Sequence, residues 1–276
     1  MPKIGECKLC KKQRDLQVSH AVGDSIFKKI FRANSGKAIS ITSGDEAIGF
    51  SSDSWAEYQL CLSCEKLLNL EYEMYSLGVL RGKNCKFAKS DLGLLFSGLN
   101  QHNLIMYFLS IYWRAANSGH PSYKNVVIHE DDNEYLQNAI FNNLKVPSGK
   151  FSIKLSRVVD LSVSEGFTAE SLKGLIVSPF CRIYGGHKVN NISVCFMFEG
   201  FFIEIYIKRL KVKERKRHGI LSKAKDRLFV PYLNLFDIKE VVELMVTGYG
   251  KHVDGNSRLK ANKSRQKDAN KTGASV

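Results

Sequence analysis

Two Cys-x-x-Cys pairs, Cys7 with Cys10 and Cys61 with Cys64, constrain this chain more than any other feature. Such a turn lets two thiolates reach one ion, and two turns complete a tetrahedral set. The chain between residues 10 and 61 must therefore return on itself. That stretch contains Leu16-Gln17-Val18-Ser19-His20, an apolar run ending in a histidine, and Glu65 directly follows the last cysteine. A structural Zn2+ on Cys7, Cys10, Cys61 and Cys64 is expected. Cys85, Cys181 and Cys195 are unpaired and read as small buried hydrophobes.

The start of the chain has no apolar signal region, and the apolar run Leu104 to Trp113 is too short to cross a bilayer. The reading is a reducing, cytoplasmic location with no membrane partner. Paired cysteines there serve metals rather than disulfides.

Residues 1–78 read as one small unit: a strand at Leu16 to Val18, a helix over Asp24 to Phe31, and one short strand at Ala38 to Ile41. A helix opens at Cys61 to Cys64. Residues 79–250 read as an α+β body. Residues 90 to 120 are expected to be a largely buried helix ended by Gly119-His120-Pro121, with a second helix over 133 to 144. Strands are expected over Phe151 to Val159 and Gly174 to Tyr184. Residues 192 to 198 and 201 to 207, joined by Glu199-Gly200, predict a hairpin. Glu204 among apolar neighbours suggests that one face is wet, and Asp237 to Met245 suggests a last helix. Residues 251–276 carry seven basic and two acidic side chains and no large apolar run, and read as a disordered basic tail.

The net charge is +14, which points to a polyanionic partner, nucleic acid above all. Lys208, Arg209, Lys211, Lys213, Arg215, Lys216 and Arg217 stand against one acid, Glu214. Such a segment suits sequence-independent phosphate contact. Lys28, Lys29 and Arg32 fall on the helix after His20, where they can hold a phosphate near it.

The segments Cys7-Lys8-Leu9-Cys10, Leu16-Gln17-Val18-Ser19-His20 and Leu60-Cys61-Leu62-Ser63-Cys64-Glu65 together resemble the HNH, or His-Me finger, endonucleases of the zinc-ribbon type. The resemblance covers about the first quarter of the chain. It implies an N-terminal zinc-ribbon ββα-metal-like module ahead of a mixed helix and antiparallel-sheet body. It also implies a metal-dependent nuclease hydrolysing phosphodiester bonds in DNA or RNA. His20 matches the general base, and Glu65 matches a ligand of a catalytic Mg2+ or Mn2+. Stand-alone proteins resembling this family often act as defence effectors or toxins.

The chain departs from the pattern at Ser19, where the family has an acidic or imidazole ligand, and at Gly23, where a proline is common. The asparagine that orients the base has no clear match; Asp53, Glu57 and Gln59 are the polar residues in that region. Glu71 or Glu73 is expected to replace the missing acid, Glu71 being taken as the second metal ligand. The residues alone leave other roles open. His20 can serve as base, as zinc ligand or as a structural hydrogen-bonder, and Glu65 can complement a helix dipole. The alternative whole-protein readings are a non-catalytic nucleic-acid-binding protein on a degenerate HNH scaffold, and a module docking a partner protein through the α+β body.

Overall fold

A computed structural model describes residues 3–33, 35–162, 166–184, 191–208 and 210–259. Arg209 of the predicted phosphate-contact set and residues 260–276 of the predicted tail lie outside the described residues.

The first unit is a small antiparallel sheet with helices on one side. Strand β1 (Lys3–Glu6) pairs with β2 (Gln13–His20), and β2 pairs with β5 (Ala56–Cys61). Helix α1 (Asp24–Ala33) follows β2, burying Ile26, Phe27 and Ile30 at helical spacing. The single short strand expected near residue 40 is a two-stranded ribbon of β3 (Ala38–Ser40) and β4 (Gly49–Ser51).

Helix α2 (Leu62–Leu68) opens at the second cysteine pair and passes through a π-turn (Asn69–Glu73) into α3 (Met74–Leu80). The π-turn adds a residue to one turn and so resets which side chains face inward. Residue 78, the boundary expected between the two units, falls inside α3.

Residues 86 to 97 are a hairpin, not the start of the expected long helix: β6 (Lys86–Ser90) pairs with β7 (Gly93–Ser97). The reason is alternation. Leu94 and Phe96 are buried while Leu95 between them is exposed, a period of two that an apolar count misses. The helix itself, α4 (Gln101–Ala116), starts at Asn100, whose side chain accepts the Asn103 N–H at 3.3 Å. It stops before Gly119. Twelve of its residues are buried, so it runs through the centre of the protein. Helix α5 (Glu130–Phe141) packs beside it.

The body is a seven-stranded mixed sheet. Its remaining strands are β8 (Phe151–Val159), β9 (Val177–Tyr184), β10 (Asn191–Phe198), β11 (Phe201–Ile207) and β12 (Leu228–Asn234). The order is β6-β7-β12-β8-β11-β10-β9, with β12 and β8 the parallel pair. A short helix α6 (Ala169–Lys173) precedes β9, and α7 (Lys239–Val253) follows β12.

Both sheet faces are covered. Val194, Phe196 and Phe198 of β10 point to the α4 side, while Cys195 and Met197 point to a second cluster with Leu235, Ile238 and Val241. That is why β10 reads as an unbroken apolar run. One contiguous cluster holds both Cys7 and Val230, so the first unit and the body share a core. Glu204 is half-buried and accepts hydrogen bonds from Ser193 at 2.9 Å and Tyr206 at 2.5 Å, which supplies the polar partners that a wet face would have given.

The β10–β11 turn is tight. Glu199 and Gly200 have φ of 51° and 71°, the two left-handed residues that a two-residue hairpin needs. The expected tail is also ordered for its first residues. Helix α7 extends to Val253, Lys251 Nζ donates to the carbonyls of Thr42 and Glu46 at 2.8 Å each, and Ser257 bridges Ile48. No described helix is long and apolar enough to cross a membrane.

Candidate active site and metal centre

The two cysteine pairs meet. Cys7 and Cys10 flank the turn between β1 and β2, and Cys61 and Cys64 stand where β5 runs into α2. The four Sγ atoms lie within 4.8 Å of one another, and Cys10 to Cys61 is 3.9 Å. Four sulfurs about 2.3 Å from a tetrahedral zinc stand about 3.8 Å apart, so this donor set suits a metal such as zinc. Burial pushes the Cys7 and Cys64 thiols up. Burial acts on Cys61 the same way, but hydrogen bonds from Ser63 and Cys64 outweigh it and bring that thiol down to about 6. Four thiolates this close repel, and a dication relieves the repulsion.

His20 ends β2, opposite Ala56 of β5. The register slips between Gln17 and Val18, which takes Leu60 N–H off its backbone partner. Ser19 Oγ accepts that N–H at 3.3 Å and is 3% exposed. Ser19 therefore serves the sheet and does not face a ligand. The following residue, His20, faces α1, where it meets Asp24 and Phe27.

The His20 imidazole is largely buried. Its Nε2 lies 3.0 Å from Ser54 Oγ and 3.7 Å from Asp24 Oδ1. Nδ1 has no hydrogen-bond partner among the described residues. Burial holds the ring below its ordinary pKa; Asp24 and Glu65 pull it up, and Arg114 and Lys28 oppose them. The ring is therefore neutral near pH 7.

Ser54 is the polar neighbour that the sequence did not mark. The three polar residues expected there go elsewhere. Asp53 binds His120 Nε2 at 3.1 Å, Glu57 accepts from Ser118 and Gly119, and Gln59 donates to the Arg114 carbonyl at 3.0 Å. Next to Ser54, Trp55 has a φ of 57°, a conformation that a bulky residue rarely adopts. It is held by Asp53, which accepts its N–H at 2.8 Å, and by edge contacts with Phe27 and Tyr123.

Two carboxylates, Asp24 and Glu65, act electrostatically on His20, and a third, Glu73, interacts with both of them. Glu65 accepts from Arg114 at 3.2 and 3.4 Å. Glu73 reaches over Gly23, where a Cβ would overlap its carboxylate. Among the described residues Glu73 has no hydrogen bond or ion pair, and burial holds its carboxyl above the ordinary range, with Arg114 opposing and Glu65 adding. Glu71 is exposed, and its contact is a backbone one, its carbonyl accepting from Asn103. The π-turn separates the two: Glu73 is tucked over Gly23, and Glu71 is exposed. Arg114, the cation directly after the apolar run of α4, was not marked as a site residue either; a charge abutting such a run was the available signal.

The expected phosphate-holding cations divide. Lys28 pairs with Asp24 at 2.5 Å, and Lys29 lies 3.5 Å from both Glu170 and Glu199. Arg32 is exposed. Lys208, Lys211, Lys213, Lys216 and Arg217 are exposed on the loop after β11, while Arg215 donates to the Leu210 carbonyl at 2.8 Å. No ion pair or hydrogen bond joins that loop to α1 among the described residues. No family model, curated protein or solved structure matches this chain.

Proposed function

We propose that this protein is a metal-dependent nuclease. A structural zinc on Cys7, Cys10, Cys61 and Cys64 holds a zinc-ribbon module, and His20 is the general base. The observation that carries this reading is His20 itself. It is a neutral, largely buried imidazole with Nε2 fixed by Ser54 and 3.7 Å from the Asp24 carboxylate, and with Nδ1 unengaged among the described residues.

Ser54 orients the ring, and Nδ1 takes the proton from an attacking water. An imidazole does this well near neutral pH because its proton affinity is poised there. The orphan Glu73 carboxylate, with Asp24 and Glu65 near it, has the hard oxygen chemistry that Mg2+ or Mn2+ selects. Such an ion supplies Lewis-acid polarisation of a phosphate. The cations of α1 and of the 208–217 loop attract the strand, whether DNA or RNA.

The second reading is a non-catalytic nucleic-acid-binding protein on the same scaffold. It is favoured by one observation: the Glu65 carboxylate is already engaged by Arg114. The two readings part in a cleavage assay. Zinc-loaded protein is mixed with plasmid DNA and with a structured RNA in Mg2+ or Mn2+, beside His20→Ala. Metal-dependent cleavage lost in the variant supports the nuclease. No cleavage, or equal cleavage by both proteins, sinks the His20 mechanism in favour of the second reading.

A further inference from the structure

A half-open cavity of about 890 Å³ lies between α1, the end of α3, the β6–β7 hairpin, β8 and α6. A volume of this order suits a small organic ligand. Seven lysines and arginines line it against two carboxylates, Asp160 and Glu199. Several of these cations are already matched: Lys28 by Asp24, Lys173 by Glu170 at 3.0 Å, and Arg81 by Glu199 at 2.6 Å. With Asp24 and Glu170 counted as well, cations still exceed carboxylates by three. Arg32 and Lys89 have no ion pair among the described residues.

One wall is built rather than incidental. Glu199 is 2% exposed, fixed in the left-handed turn of the β10–β11 hairpin, and clamped by Arg81 and Lys29. Arg157 donates to its carbonyl at 2.9 Å and lies 4.9 Å from the Phe201 ring centroid. This network holds cations at the cavity edge with few ways to relax.

The lining is aromatic as well. Phe87 and Phe167 line the space while 47% and 39% exposed. Large rings left open on a cavity wall offer faces on which a planar group stacks. Surplus positive charge beside exposed rings selects a ligand with phosphates at one end and a flat ring at the other.

We propose that this cavity binds a nucleoside phosphate, its base against Phe87 and its phosphates at Arg32 and Lys89. The chemistry is the same for a free nucleotide and for a nucleotide unit of a strand. Binding here needs neither His20 nor a catalytic ion, so it stands or falls apart from the nuclease reading.

The test uses the full chain, zinc-loaded and without Mg2+. It is titrated with fluorescently labelled ATP and GTP, with a labelled ten-nucleotide oligonucleotide, and with pyrophosphate. A labelled nucleotide or the oligonucleotide binds, and Arg32→Ala with Lys89→Ala weakens it by about tenfold or more. Phe87→Ala weakens the nucleotide and leaves pyrophosphate unchanged. All three positions are exposed, so the fold survives these changes. Binding of free nucleotides identifies a small-molecule source; binding of the oligonucleotide alone identifies a strand. His20→Ala binds as the parent does, whatever the cleavage assay returns. Absence of binding by every probe, indifference to both sets of substitutions, or pyrophosphate binding as tightly as ATP would overturn the proposal.

Discussion

The Arg114 guanidinium lies 3.2 Å from a Glu65 carboxylate oxygen, and the arginine is the more buried partner, its side chain 4% exposed against 24%. Among the described residues its Nε has no hydrogen-bond partner, and Glu65 is the acidic side chain that it contacts directly. The pair ties the first turn of α2 to the last turn of α4, and so ties the second cysteine pair to the central helix.

Losing either partner is therefore unequal. Glu65→Ala strands a buried cation and is expected to destabilise the fold by about 3 kcal/mol. Arg114→Leu leaves a carboxylate that water still reaches and is expected to cost about 1 kcal/mol or less. Urea midpoints compare the two. Equal losses, or a larger loss for Arg114→Leu, contradict this account of the pair.

Gly23 leaves room for the Glu73 carboxylate. Gly23→Ala is expected to cost about 1–2 kcal/mol because the new methyl displaces a partly buried acid. The same substitution in a Glu73→Ala background is expected to cost almost nothing, since the obstruction is gone. A double-mutant cycle reads the difference as a coupling energy, and additivity would show that the two do not meet.

His20 and Glu73 pull stability in opposite directions with pH. The folded pKa of His20 lies below 6.5, so the unfolded chain takes up that proton first as the pH falls. The contribution of His20 is whole above 6.5 and is lost below it toward the folded value. For Glu73 the folded pKa lies above 4.5, so its contribution is present below 4.5 and lost as the pH rises through the folded value. Relative to His20→Asn, the parent should weaken below pH 6.5. Relative to Glu73→Gln, it should strengthen toward pH 4.5. Urea midpoints taken across that range decide both, and a difference that is flat with pH counts against the burial of that group.

Metal removal is expected to act on the whole protein, because the cysteine cluster belongs to the same core as the sheet. A strong zinc chelator, or Cys64→Ser, should lower the melting temperature by on the order of 10 °C, the shift that several kcal/mol make in a chain this long. Elemental analysis of the untreated protein should return one zinc per chain. An unchanged melting curve with no bound metal would leave the four thiols as plain core residues.

The elements that the sequence disclosed are those with a strong local signal. The 192–207 hairpin, α1 and the helix at Cys61 follow from spacing and turn residues within a short window. The cysteine cluster followed because each pair carries its own turn. What escaped notice depends on contacts distant in the chain. Strand β12 reads as nothing special until β7 and β8 flank it. Ser54 is one serine among several until His20 is brought to it across the sheet. Glu71 and Glu73 are indistinguishable in sequence, and a π-turn of five residues decides between them. The left-handed Glu199 shows the same limit, since its turn was legible and its burial among Arg81 and Lys29 was not.

The bridge between Ile48 and Ser257 bears on the order of events during synthesis. Residues 42 to 48 leave the ribosome early, yet the lysine and the backbone groups that hold them are made about two hundred residues later. That loop stays unlatched until residues 251 to 257 have left the ribosome. Its closure reports that the full body has formed, and protease cutting within 42–48 of nascent chains should fade only once residue 258 is free.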